Sequence, residues 1–205
     1  MRQKRVGEPT SGGTSSATGE TARVFFAVWP DPEVRGALDL LARDCAARTG
    51  GRAPDPANLH VTLAFIGNVD AGGVVVLREI GFNAAAAAAP FRLILDRIGA
   101  FHKQEIVWLG CSGMNKPMQA LADPLFSQLG AAGFSLEPRP FRPHVTLARR
   151  ARTRALDWTG DGALGRPIAW NISRLTLTAS TNAQGALRYL AIDSWPLGGR
   201  DQSAD

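Results

Sequence analysis

The chain has 205 residues, 45% hydrophobic and 20% charged, which suits one globular domain or two small lobes around a sizeable core. Lys and Arg number 23 against 18 Asp and Glu, a net charge of +5, and that balance favours polyanionic partners. Cys45 and Cys111 stand in no Cys-x-x-Cys pattern, so a zinc framework is excluded, and no apolar run is long enough to span a bilayer, so a cytoplasmic protein without membrane contact is expected.

The first 21 residues are polar, with Thr10-Ser11-Gly12-Gly13-Thr14-Ser15-Ser16 and no apolar h-region; they read as a disordered extension rather than a secretory signal. Residues 23–29, around Val24-Phe25-Phe26-Ala27-Val28, predict a buried strand that Pro30 ends. Asp31 as N-cap and Pro32 at the first helical position start a helix to about residue 48, with Val34, Leu38, Leu41 and Cys45 on one face. A Gly/Pro loop at 50–57 precedes a strand over 58–66 that should stop at Gly67-Asn68, and a second helix runs from Asp70 into the alanines of 84–89, against the grain of Gly81 and Asn83. Residues 91–98 and 106–109 form an expected strand pair, and a third helix runs from Lys116-Pro117 to Ala132, ended by Gly133. After the turn-rich 137–143 comes another strand, then an expected hairpin of 170–179 with 186–195 around Asn182-Ala183-Gln184-Gly185. Residues 198–205 read as a polar tail, which leaves 22–197 as the folded domain.

The pentapeptide His-Val-Thr-Leu-Ala occurs twice, at 60–64 and 144–148, and uses two of the three histidines. Chance supplies such a repeat only on the order of a few hundredths of the time in a chain this long, so the repeat marks a site. In an extended strand residues i and i+2 share a face. His60 and Thr62 therefore stand together over Val61 and Leu63, and His144 and Thr146 repeat the arrangement over Val145 and Leu147. Two imidazoles and two hydroxyls around one point suit acid–base chemistry on an oxyanion such as phosphate. A lone His-x-Thr on a strand would be an ordinary surface feature; the duplication argues otherwise. His102, in Phe101-His102-Lys103-Gln104, has no partner motif and reads as a loop residue. No His, Cys, Asp or Glu cluster has metal-site spacing, so metal-free chemistry with no cofactor is expected. Residues 139–154 carry Arg139, Arg142, Arg149, Arg150, Arg152 and Arg154 with no acidic residue. Those nearest the second motif, Arg142 and Arg149, are the candidate residues for binding a polyanion, and the outer ones are as well explained by a solvated loop.

The order of elements predicts an α+β protein in two pseudo-twofold lobes, each an antiparallel sheet with helices outside and one motif strand facing a central groove. The sequence resembles the 2H phosphoesterases, and among them the bacterial RNA 2′,3′-cyclic phosphodiesterases, once called 2′-5′ RNA ligases. The resemblance rests on Arg23-Val24-Phe25-Phe26-Ala27, on Asn58-Leu59-His60-Val61-Thr62-Leu63-Ala64-Phe65-Ile66-Gly67 and on Val107-Trp108-Leu109-Gly110. It continues through Arg139-Pro140-Phe141-Arg142-Pro143-His144-Val145-Thr146-Leu147 and Tyr189 ahead of Trp195-Pro196-Leu197. It implies hydrolysis of RNA 2′,3′-cyclic phosphate ends to 2′-phosphates by a monomer, with His60 as proton donor, His144 as proton acceptor, and Thr62 and Thr146 binding the phosphate. Because the two motifs are identical, the residues alone leave the acid and base assignment open. The alternatives are 2′-5′ RNA ligation, hydrolysis of a small nucleotide cyclic phosphate, and a non-catalytic RNA-binding module, which the presence of both His-x-Thr pairs disfavours.

Overall fold

The computed structural model describes residues 21–113, 115–136, 141–155, 162–183 and 186–199. The chain runs β1 (Ala22–Val28), α1 (Pro32–Thr49), β2 (Val61–Val69), α2 (Ala71–Ala87), β3 (Phe91–Phe101), β4 (Ile106–Gly110) and α3 (Lys116–Ala131). It continues as β5 (His144–Ala148), β6 (Ala163–Ile172), β7 (Arg174–Ala183) and β8 (Ala186–Pro196). The strands form one antiparallel sheet in the order β6-β3-β4-β5-β2-β1-β7-β8. Its two four-stranded halves meet at the motif strands β5 and β2, where the single registered pair is Val61 with Val145. The two expected lobes are thus joined by their inner strands into one sheet.

The helices start where the side-chain chemistry dictates. Asp31 Oδ1 accepts from Val34 N at 2.9 Å, Asp70 Oδ1 from Gly73 N at 2.8 Å and Asn115 Oδ1 from Met118 N at 2.8 Å, each satisfying an amide that the first turn leaves without a partner. Gly50, at φ 66°, closes α1. The buried stripe of α1 is Val34, Leu38, Ala42, Cys45 and Thr49; Leu41, expected on it, lies at its edge, half-buried. In α2 the rings of Trp195 and Phe26 fill the space that a Cβ at Gly81 would need, which is why a glycine sits inside this helix. The helices also tie the halves together, α1 packing on β5 and β6 while α3 packs on β2 and β3. One contiguous core runs beneath both.

Three expectations need correction. The strand expected over 58–66 begins at Val61 and continues through Gly67-Asn68 to Val69, because β1 lies alongside and pairs with it as far as Ala22 with Val69; the ladder overrides the turn signal. The strand expected at 170–179 is two strands. Trp170 and Ile172 end β6, which pairs with β3, and after Ser173 the chain pairs with β1 as β7. The rest of β6, with Gly165 and Pro167, escaped the sequence reading because such residues argue against a strand interior, yet an edge strand tolerates them. The β7–β8 hairpin forms in the expected place, but its first strand starts at Arg174 and runs on through Asn182 and Ala183, which pair with Leu187 and Ala186. The disordered extension expected for residues 1–21 falls almost entirely outside the described residues, as does most of the tail expected at 198–205.

Candidate active site

Val61 and Val145 are fully buried and form the back of the β2–β5 junction. The register through this pair sets His60 level with Thr146 and Thr62 level with His144, all four on the opposite face. One antiparallel step therefore converts two identical motifs into a square with imidazole beside hydroxyl on both sides.

Each imidazole is oriented in the same way. His60 Nδ1 donates to the Asn58 carbonyl at 2.7 Å, and His144 Nδ1 donates to the Arg142 carbonyl at 2.7 Å. A carbonyl only accepts, so Nδ1 carries the proton in both rings and Nε2 is left for chemistry. His60 Nε2 lies 3.0 Å from Thr62 Oγ1. Asn58, in a short 3₁₀ turn at Pro56–Asn58, is anchored by its own Nδ2 donating to the Leu187 carbonyl at 3.0 Å. The orienting carbonyl is thereby fixed to β8.

The surroundings of the two rings differ. His60 sits against Trp29 and Phe25, with ring centroids 4.8 and 5.2 Å away, and against the edge of Tyr189 at 5.1 Å. Burial pushes this imidazole from 6.5 down to about 4 against the upward pull of the Asn58 carbonyl, and Arg149 and His144 lower it further. His144 meets the edge of Phe101 at 5.2 Å. It too is lowered, by burial first and then by Arg149, against the pull of the Arg142 carbonyl. His60 carries the deeper depression, and near pH 7 both rings are neutral in the free protein. Tyr189 is raised by burial, with Arg149 and Arg23 opposing.

Arg149 follows β5 directly and is held by a two-way backbone bridge to Arg52, at 3.0 and 2.8 Å; its charge reaches both histidines and Tyr189. Arg142 is exposed and contributes the carbonyl that orients His144. Arg152 turns away, its Nε donating to the Thr49 carbonyl at 3.3 Å at the end of α1, which is a structural role. Arg139 lies outside the described residues. His102 occupies the β3–β4 turn, its Nδ1 2.8 Å from Thr153 Oγ1, and it lines the same cavity as His144. A cavity of about 790 Å³ opens beside His144, walled by Phe101, Trp108, Phe141, Ser112, Asn115 and Gln119 among others.

Sequence reading did not single out Phe25, Trp29, Phe101, Trp108 or Tyr189 as site residues. The available signal was alternation: strand neighbours two apart from a motif-facing residue face the site themselves, but which strands flank the motifs is set by long-range pairing. Among the described residues no group of three or more His, Cys, Asp or Glu could hold a metal ion, and no helix is long and apolar enough to cross a membrane.

The pattern of the 2′-5′ RNA ligase superfamily matches residues 25–184. RNA 2′,3′-cyclic phosphodiesterase of Escherichia coli (strain K12) is 33% identical over 181 residues, covering 87% of this chain and 98% of that protein. The crystal structure of E. coli LigT complexed with 3′-AMP superposes with a TM-score of 0.76 at 31% identity, covering 87% of this chain and 99% of LigT. A protein of Thermus thermophilus, 23% identical, shares the fold with a TM-score of 0.71 over 87% of this chain and its own full length.

Proposed function

The chain belongs to the 2′-5′ RNA ligase superfamily, and we propose that it opens RNA 2′,3′-cyclic phosphate ends by paired-histidine acid–base catalysis, leaving a 2′-phosphate and a free 3′-hydroxyl. It is an RNA 2′,3′-cyclic phosphodiesterase, like its E. coli relative. The observation that carries the mechanism is the β2–β5 register, which sets both imidazoles and both threonine hydroxyls on one face around one point.

Water attacks phosphorus in line with the O3′ bond, and His144 Nε2 takes the water proton as the new P–O bond forms. His60 Nε2–H gives its proton to O3′ as the P–O3′ bond breaks, while O2′ keeps the phosphate. Thr62 and Thr146 donate to the two non-bridging oxygens, where charge builds in the transition state. Arg149 places a cation beside that charge, and with Arg142 it holds the phosphates of the RNA backbone. Two imidazoles supply the proton transfers and the strained five-membered ring lowers the barrier, so no metal is required.

The acid role of His60 is not that of the free protein, where this ring is the more strongly depressed of the two. A phosphodiester anion seated between the rings raises both, because an opposite charge within a few ångströms favours the protonated form. Substrate therefore brings its own acid into its working state. The test is the product formed from a short RNA ending in a 2′,3′-cyclic phosphate. A product resistant to a 3′-phosphate-selective phosphatase supports the assignment, and a predominantly sensitive one overturns it.

A further inference from the structure

We propose that Arg23, seated on the ring of Phe65, holds a phosphate of the RNA upstream of the reacting end, so that the chain leaves the site across β1 and β2 and an RNA is favoured over a mononucleotide. The proposal rests on the cyclic-phosphate reading above and adds to it an exit path. In that reading His60 faces O3′. Ribose continues from C3′ through C4′ and C5′ to the upstream phosphate, so the chain leaves on the His60 side of the two motifs.

On that side Phe25, Trp29 and Tyr189 wall the imidazole. Arg23 stands two residues before Phe25 on β1 and therefore shares its face, roughly 7 Å farther along the strand. Val24 and Phe26 belong to the core on the other face. The guanidinium carbon of Arg23 lies over the ring of Phe65, 4.7 Å from its centroid, and Phe65 is the β2 residue paired with Phe25. Phe65 is 41% exposed although β2 is an inner strand of the sheet; an open ring there serves as a seat for a cation. A guanidinium lying on a ring keeps its N–H groups in its own plane, directed outward in the fork geometry that binds phosphate. Seating it before RNA arrives also lowers the ordering cost of binding.

The neighbours of Arg23 fit an anion. Ser180 Oγ donates to the Arg23 carbonyl at 3.2 Å, which ties this position to β7. Asn68 stands opposite Arg23 across the β1–β2 ladder, an exposed amide on the same face. The ion pairs of the described residues join Arg43 to Asp39, Arg48 to Asp44 and Arg78 to Asp193, so among those residues no carboxylate competes with phosphate for Arg23. Its charge also reaches Tyr189, as that of Arg149 does, so positive potential extends from the motif strands toward Arg23.

Calorimetric titration with an adenosine trinucleotide ending in a 2′-phosphate, and with the same trinucleotide carrying uncharged methylphosphonates at its internal linkages, tests the site without turnover and with the bases held constant. The charged trinucleotide should bind more tightly. Arg23→Gln should lower its affinity roughly 3- to 10-fold and that of the uncharged one far less, and the slope of log affinity against log salt for the charged ligand should become shallower by about 1. Equal affinity of the two ligands for the unmodified protein overturns the proposal, as does an affinity ratio that survives intact in folded Arg23→Gln. In turnover, Arg23→Gln should shrink the preference for the trinucleotide cyclic phosphate over adenosine 2′,3′-cyclic phosphate through KM; a change confined to kcat contradicts a binding role. Charge-dependent binding through Arg23 without opening of any cyclic phosphate would sink the mechanism but keep the phosphate site, whereas ring opening indifferent to Arg23 does the reverse.

Discussion

His60 and His144 differ in surroundings although their motifs are identical, and on the proposed mechanism this difference sets how activity should depend on pH. Both rings are depressed in the free protein, His60 to about 4, so the singly protonated pair is populated on the acid side of neutrality. The profile of kcat/KM should be a bell centred below about pH 6.5, and that of kcat should lie at higher pH because bound phosphate raises the pair. A kcat/KM bell centred above about pH 7 would contradict this. The same shift bears on stability. A folded value of about 4, below the unfolded 6.5, means that the unfolded chain binds the extra proton, so the contribution is fully present above pH 6.5 and is lost as pH falls toward 4. For His60 this is on the order of 3 kcal/mol, and urea titrations should show a smaller acid-side loss for His60→Gln than for the unmodified protein. His60→Ala and His144→Ala should each lower turnover by roughly 10²–10⁴, and Thr62→Ala or Thr146→Ala by about 10²–10³. All of these residues were legible from the repeat. The aromatic ring wall around them was not, since Phe25, Tyr189 and Trp108 reach the site only through pairing with strands remote in sequence.

Among the elements, those with local chemistry were the readable ones. Asp31-Pro32, Asp70 and Asn115-Lys116-Pro117 mark three helix starts by a cap and, in two of them, a proline. By contrast β6 was hidden by Gly165 and Pro167, and the end of β2 was obscured by Gly67-Asn68, because in both places a neighbouring strand rather than local preference decides the conformation. Gly81 in α2 shows the same contest in energetic terms. Alanine gains about 1 kcal/mol of helix propensity over glycine, but here its Cβ would enter the space of Trp195 and Phe26, and overpacking costs about 1–3 kcal/mol. Gly81→Ala should therefore lower stability, measured as a smaller urea midpoint with unchanged m-value. A gain in stability would show that the two rings move aside freely.

At the scale of the whole molecule, α1 and α3 cross the β2–β5 junction from opposite halves, which holds the two motif strands at one separation although a single residue pair joins them. On the proposed mechanism the proton transfers belong to groups the protein itself carries, and EDTA should leave turnover unchanged; inhibition reversed by a divalent ion would reveal a ligand set outside the histidine pair. The net charge of +5, with Arg142 and Arg149 at the site, should make binding of an RNA end fall with salt more steeply than turnover of a mononucleotide cyclic phosphate. The central claim, that His60 and His144 together open the ring toward a 2′-phosphate, is tested most directly by following phosphorus NMR of a cyclic-phosphate-ended RNA with the unmodified protein, His60→Ala and His144→Ala. The account predicts steady growth of a 2′-phosphomonoester signal with the first and its near absence with both folded variants. A predominant 3′-phosphomonoester, or an undiminished rate in either variant, would contradict it.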